Sequence, residues 1–243
     1  MSGQVRAVTM LHHRTRPDVR GQTGITLIEL LVSMAVLGII TAMILTVWFG
    51  LQSSFANTSR ASQAREAARD GVARMTMEIR DAQASGTSNA ITEAGPFTIV
   101  FYSTFNAAGN DVVDSAPRQT AFVYDASGSA SGGTIYRVVD TDTIANGVTD
   151  ELADPAQYGR PIVENVVNWS QADSVNLTPR TSIFRYSFYD GDGVYRTVSP
   201  MTQSTALIRA VQIRVQVDLN PGKSPVYMDL KTTAQPRNMR PST

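Results

Sequence analysis

The chain has 243 residues and no cysteine. Disulfides, thiolate-ligated zinc and thiol nucleophiles are excluded together. Histidine is nearly as scarce: His12 and His13 both precede a long apolar run, and residues 25–243 contain none. That part of the chain can form neither a Ser-His-Asp triad nor a His-ligated metal centre. Carboxylates, hydroxyls, Lys223 and Lys231 are left as reactive groups, and they form no recognisable catalytic constellation. Net charge is also missing, with 21 basic residues against 21 acidic ones. A balance of this kind argues against a dedicated nucleic-acid binder.

What the chain does have is an unusual amino-terminal third. Residues 1–24 hold Arg6, Arg14, Arg16 and Arg20 against Asp18, a net charge of +3. Ile25 to Leu51 then form 27 apolar-dominated residues whose single charge is Glu29. As a helix this run is about 40 Å long at about 1.5 Å per residue, more than the ~30 Å hydrocarbon core of a bilayer requires. It exceeds the ~7–15 apolar residues of a secretory signal and reads as a membrane-spanning helix. The basic flank is expected to stay in the cytoplasm, which places the bulk of the chain outside. A carboxylate within such a helix is costly, so Glu29 is a functional candidate. A plain alternative has it snorkelling to the headgroups near the helix end. Ser33, Gly38 and Ala42 offer small side chains for close helix approach.

Gly24 followed by Ile25-Thr26-Leu27-Ile28-Glu29-Leu30-Leu31-Val32 resembles the processing motif of type IV prepilins, and Gly38 also fits the pattern of that helix. The resemblance implies cleavage between Gly24 and Ile25 by a prepilin peptidase on the cytoplasmic side, then N-methylation of Ile25. It implies that the helix serves first as anchor and later as filament core, assembled with other pilin or pseudopilin subunits. Two departures are visible: Ile25 stands where Phe is commonest, and Thr46 where many major pilins have a proline. A glycine before the scissile bond leaves the backbone unobstructed for the peptidase. Glu29, one turn from the new amino group of Ile25, can offset that charge in its own chain or a neighbour, which makes it a registration device for assembly. Removing residues 1–24 leaves 17 basic and 20 acidic residues.

Beyond Leu51 charges enter, and no helix breaker occurs before Gly71. Ala61, Ala64, Ala68, Val72, Met75, Ile79 and Ala82 recur at spacings of three and four, which predicts one apolar helix face. Arg65, Glu66, Arg69, Asp70, Arg74, Glu78 and Arg80 fall largely elsewhere, with Arg74 and Glu78 one turn apart. One helix from about Ile25 to Ala84 is expected, its second half lying on a sheet. Arg60, Arg65, Arg69, Arg74 and Arg80 are interleaved with acids and do not share a face, so they read as a solvated surface and not a DNA-binding stripe.

From Ser85 to Asn89 the helix gives way to residues rich in Gly, Ser, Thr and β-branched types. Strands are expected at Phe97–Tyr102, Gln119–Tyr124, Thr134–Val139, Ile162–Ser170, Ser182–Tyr189, Val194–Val198, Ala206–Leu219 and Val226–Ala234. Val211, Ile213, Val215, Val217 and Leu219 alternate with Gln212, Arg214, Gln216 and Asp218, the pattern of a half-buried antiparallel strand. Asn220 to Lys223 reads as the turn that follows it, with Val226, Met228 and Leu230 continuing the buried face. Ser103–Arg118, Asp125–Gly133 and Asp140–Arg160 read as surface loops. Asp190-Gly191-Asp192-Gly193 reads as a hairpin turn in preference to a calcium loop, because it lacks the ligand layout of an EF-hand. Asp140, Asp142, Asp150 and Glu151 are spaced irregularly and read as a solvated loop. No metal or other cofactor is expected. Trp48 reads as an interfacial anchor and Trp169 as a core residue.

A looser resemblance covers the carboxyl half. Ile79-Arg80-Asp81, IVENVVNWS, FRYSFYDGDG, LIRAVQIRVQV and Arg237-Asn238 look like J-type minor pseudopilins of type II secretion and W-type minor pilins. The expectation is an α+β pilin-like chain with four parts: a leader at 1–24, an anchor and filament-core helix at 25–51, an amphipathic continuation at 52–84 and a β-rich domain at 85–243. It is expected to be a non-enzymatic, low-abundance filament subunit, membrane-anchored before assembly and on the cell surface afterwards. A signal-anchored binding domain that never polymerises is the rival, since Ser54-Phe55-Ala56 resembles a signal-peptidase site.

Overall fold

A computed structural model describes residues 25–105, 113–126, 132–140, 147–168, 181–219 and 227–237, with the side chains of 113–115 also outside the description. The chain divides into two compact units, Met1–Ser53 and Ser54–Thr243. A single helix, α1, spans Leu27–Arg80, 54 residues. Proline is absent between residues 25 and 95, so nothing removes a backbone donor along it. In the first unit every described residue is exposed. Among its described residues, that unit has no apolar core of its own.

In the second unit α1 lies on an antiparallel sheet. The strands are β1 (Ile91–Ala94), β2 (Thr98–Phe105), β3 (Val113–Asp125), β4 (Gly133–Val139), β5 (Arg160–Val166), β6 (Phe184–Tyr189), β7 (Tyr195–Val198), β8 (Ile208–Asp218) and β9 (Tyr227–Ala234). A four-residue helix, α2, covers Pro155–Tyr158. The strand order is β1-β2-β3-β4-β5-β8-β6-β7, with β9 on β8. The result is the expected α+β architecture, a long amino-terminal helix followed by a curled antiparallel sheet.

The apolar stripe of α1 lands where its spacing predicts. Ala68, Val72, Met75 and Ile79, with Ala82 just past the helix end at Arg80, four residues short of the expected Ala84, are buried in one cluster with Ile99, Phe101, Phe122, Ile135, Val163, Ile213 and Val215. Each fully buried Ile, Phe or Met contributes about 1.5–3 kcal/mol, and Phe101 and Phe122 add a tilted ring contact at 5.3 Å. Gly71 does not break the helix. A Cβ there would stand 2.5 Å from Val163 Cγ2 and 2.6 Å from the carbonyl oxygen of Ile162, so its absence is what lets α1 come down onto β5. After Arg80, a turn at Ser85–Ser88, with Gly86 at φ +57°, leads into β1.

Most strands match their expected positions, but four findings differ. β1 has no counterpart among the expected strands, because four residues are too few to display a period. β3 begins at Val113, earlier than expected, while Thr205–Leu207 is a 3₁₀ turn before β8. Residues 147–158 are not simply a surface loop. Val148 is buried and packs with Leu152 against Val100, Ala121 and Val138, forming a second small core. Within this segment Glu151 is only 5% exposed, not solvated, and one of its carboxylate oxygens has no hydrogen-bond partner. Asp142, Trp169, Asn220–Lys223, Val226 and Asn238 lie outside the described residues.

The alternation in β8 holds: Val211, Ile213, Val215 and Val217 are buried while Gln212, Arg214 and Gln216 are half-buried. Asp218 departs from it, being buried as well. On β9, Met228 and Leu230 are half-buried on the same cluster.

Candidate functional site

α1 begins with a side-chain cap. The amide of Glu29 donates to Thr26 Oγ1 at 3.3 Å and to the Thr26 carbonyl at 3.0 Å, and the Leu30 amide donates to that carbonyl at 3.1 Å. Thr26 and Glu29 thus stand in the Thr-x-x-Glu arrangement of a capping box, with the threonine half formed. Glu29 sits in the first turn, where its charge complements the positive end of the helix. Ile25, immediately before the cap, is exposed. Ile25 and Glu29 are therefore within one turn of each other. Gly24 lies outside the described residues.

The helix satisfies its own polar groups along the apolar run. Ser33 Oγ donates to the Glu29 carbonyl at 2.8 Å, Thr41 Oγ1 to Leu37 at 2.7 Å and Thr46 Oγ1 to Ala42 at 2.9 Å. Each hydroxyl is turned back on its own backbone, as an apolar medium requires. Outward, the run presents Leu27, Ile28, Leu31, Val32 and their successors, all exposed. Trp48 is exposed among them. An apolar surface this long cannot be left in water.

Residues 19–45 match the family described as the prokaryotic N-terminal methylation motif. The match supports a type IV pilin-like precursor. It spans the basic-to-apolar boundary, Gly24, Ile25, Glu29 and Gly38. A prepilin motif implies processing by a prepilin peptidase and assembly with other pilin subunits, and that family is structural, not enzymatic. α1 is long and apolar enough to cross a membrane. Together with the motif, it points to membrane anchoring. The comparison with curated proteins found no match to the chain.

The remaining candidates resolve into structural roles. Asp190–Gly193 is a hairpin turn between β6 and β7. Asp190 Oδ1 accepts from the amides of Asp192 at 3.1 Å and Val194 at 2.8 Å, and Arg196 donates to Oδ2. The Arg196 bond first, and the Val194 amide second, hold the Asp190 carboxyl below its ordinary range. Among the described residues, no three acidic side chains converge to hold a metal.

Two sites carry more than their sequence signal suggests. Glu78, expected on the solvated side of α1, is fully buried: Arg137 Nε of β4 donates to its Oε2 at 2.7 Å and Arg74 Nε to its Oε1 at 3.0 Å. Asn168 joins the end of β5 to β8. Its Nδ2 donates to the carbonyls of Arg214 at 2.8 Å and Thr181 at 3.1 Å, and its Oδ1 accepts from the Gln216 amide at 2.7 Å. Neither an i,i+4 charge pair nor a lone asparagine announces such a place. The stretches of the looser resemblance also meet: Arg237 N donates to the Arg80 carbonyl at 3.0 Å, and IVENVVN reaches LIRAVQIRVQV through Asn168.

Proposed function

We propose that this chain is a minor type IV pilin or pseudopilin, cut between Gly24 and Ile25, N-methylated on Ile25 and incorporated into a pilus or pseudopilus through α1. Residues 1–24 are then the leader, 25–51 the membrane anchor and filament core, 52–84 the stalk on the sheet and 85–243 the pilin-like domain. One observation carries this reading: the exposed apolar run of α1, Leu27 to Leu51, begins inside an N-terminal methylation motif and carries its single carboxylate in the first turn of the helix.

The chemistry follows from that placement. Cleavage after Gly24 creates an amine at Ile25 next to Thr26, the cap residue. Within a bundle of apolar helices, Glu29 of one subunit neutralises this amine in its own chain or a neighbour's, which keeps both charges tolerable away from water. Subunits that are out of register leave a charge unpaired. The action is mechanical: the helix leaves the bilayer as subunits are drawn into the filament. Likeness to J-type pseudopilins and W-type pilins in the Ile79-Arg80-Asp81 and β8 segments supports the minor-subunit assignment.

Amino-terminal mass analysis of the protein from its native membrane is the test. A chain beginning at methylated Ile25 is expected. A chain beginning at Met1 would identify a plain signal anchor, and one beginning at Asn57 a secreted domain; either overturns the proposal.

A further inference from the structure

α1 and β9 enclose a groove of about 520 Å³ on the flank of the second unit. Its helix side is a single stripe: Arg69, Val72, Ala73, Thr76, Met77 and Arg80 follow one another at spacings of three, one, three, one and three. The middle of the stripe is apolar. Met77 is 45% exposed, an unusual position for a methionine on a helix whose other face forms the core. Thr76 Oγ1 is committed to the Val72 carbonyl at 2.7 Å, so it adds no donor to the floor. Arg69 and Arg80 stand at the two ends with exposed side chains, and Lys231, whose Nζ is also paired with Asp229 Oδ2 at 3.1 Å, adds a third cation from β9. No acidic residue lines the groove.

The opposite wall is an open strand. Among the described residues β9 pairs with β8 alone, from Val211–Ala234 to Asp218–Tyr227, so its other edge carries unpaired backbone donors and acceptors. Such an edge is a template for strand addition. Arg69 and Arg80 are eleven residues apart, or roughly 16 Å along the helix, which is the length of a strand of about five residues. The groove on the other flank of α1 is different: it contains Asp70, and Arg74 and Arg137 there are already bound to Glu78.

We infer that the α1–β9 groove is a docking site for an extended acidic peptide segment of a partner protein, which adds as a strand to β9. Apolar side chains on one face of the incoming strand rest on Val72, Ala73 and Met77, while carboxylates at its ends meet Arg69, Arg80 and Lys231. The occupant comes from another chain. Residues 238–243 of this chain carry Arg240 and no acid, so they do not complement the three cations. The inference concerns the second unit and does not depend on whether α1 polymerises.

The test uses the full chain in detergent and a fluorescently labelled eight-residue peptide with two aspartates at each end and alternating valine and threonine between them. Saturable binding is expected, at least tenfold weaker when lysines replace the aspartates. It should also weaken between about 0.1 M and 1 M salt, as the Debye length shrinks from about 10 Å to 3 Å. Arg69→Gln combined with Arg80→Gln should lower affinity at least tenfold with little change in melting temperature, because both side chains are exposed. N-methylation of alternate peptide amides should abolish binding, and hydrogen exchange should slow at β9 amides that face away from β8. Absence of binding, equal binding of the lysine peptide, or protection that bypasses β9 would each overturn the inference.

Discussion

Glu78 on α1 and Arg137 on β4 form a buried ion pair at 2.7 Å, with both side chains almost completely removed from water. Arg137 Nη2 also donates to the Phe105 carbonyl at 3.3 Å, and Arg74 holds the second oxygen of Glu78. The pair links helix to sheet at the centre of the second unit. Its geometric specificity matters more than its net energy. Two charges taken from water largely forfeit by desolvation what they gain by attraction, yet a broken pair leaves one charge stranded. Glu78→Gln is therefore expected to destabilise the fold by about 3–5 kcal/mol. Glu78→Leu combined with Arg137→Met should be close to neutral. Urea denaturation of the full chain in detergent distinguishes the cases; a double variant as unstable as the single one would refute this account.

Asn168 stands where β8 passes from one neighbour to another. Along that edge, Ile183 accepts from the Arg214 amide at 2.8 Å and Gln216 accepts from the Val167 amide at 2.8 Å, with the Asn168 amide group filling the step between them. Asn168→Ala strands a backbone donor and two acceptors, costing about 3 kcal/mol or more at about 1–3 kcal/mol for each group that water does not reach. Asn168→Asp should be equally harmful, because a carboxylate cannot donate to the Arg214 and Thr181 carbonyls. Hydrogen exchange at Gln216 reports the effect locally, and unchanged exchange in Asn168→Ala would exclude the bridging role.

Stability should fall in strong alkali. Burial is the main reason the Tyr124 hydroxyl is pushed up to about 12, against an opposing bond from the Gly133 backbone and with a further push from Asp125. Burial likewise raises Tyr186 well above its ordinary value, helped by Glu93; its hydroxyl donates to the Gly95 carbonyl at 2.7 Å. For a group whose folded pKa is raised, the stabilisation is intact below the unfolded value near 10. It is lost as the pH climbs towards the folded value. Melting temperature should decline from about pH 10 upward, with a shallower decline in Tyr124→Phe. Complete tyrosinate absorbance in the folded protein at pH 10 would contradict this.

For Glu29, the pairing proposal and the snorkelling alternative diverge on charge. Glu29→Gln keeps the size and hydrogen-bonding capacity of the side chain but cannot neutralise an amine. It should leave leader removal largely intact and lower incorporation into sheared filaments about as much as Glu29→Val does. Wild-type incorporation of Glu29→Gln would show that polarity, not charge, is what the position supplies. Gly24→Ala, in contrast, should block processing itself.

Much of this architecture was legible in the residues. The α1 stripe and the β8 alternation were readable because a period repeated over several turns or pairs averages out local exceptions. Contacts made at a distance were not. Glu78 keeps a normal i,i+4 partner in Arg74, so its burial depends on Arg137, 59 residues away and invisible to any local pattern. Gly71 looks like a weakness in a helix until β5 lies against it. Residues 147–158 look polar, yet Val148 and Leu152 suffice to cover the far face of β2–β4. Gly24, Ile25 and Glu29 are read by position along the chain and not by what folds around them; the segment 19–45 that contains them matches the methylation motif, and their individual roles belong to the proposal above.

The inward-turned hydroxyls of Ser33, Thr41 and Thr46 have a consequence for movement. A rod whose hydroxyl groups already face its own carbonyls shows the same hydrocarbon exterior to lipid tails and to protein neighbours. Passing from one to the other strips no hydroxyl of water and re-forms no hydrogen bond. If the helix passes from lipid into a filament as proposed, the cost of the transfer is set by how well side chains interlock and by the single carboxylate near the end of the apolar run, so a modest pulling force would suffice to extract it.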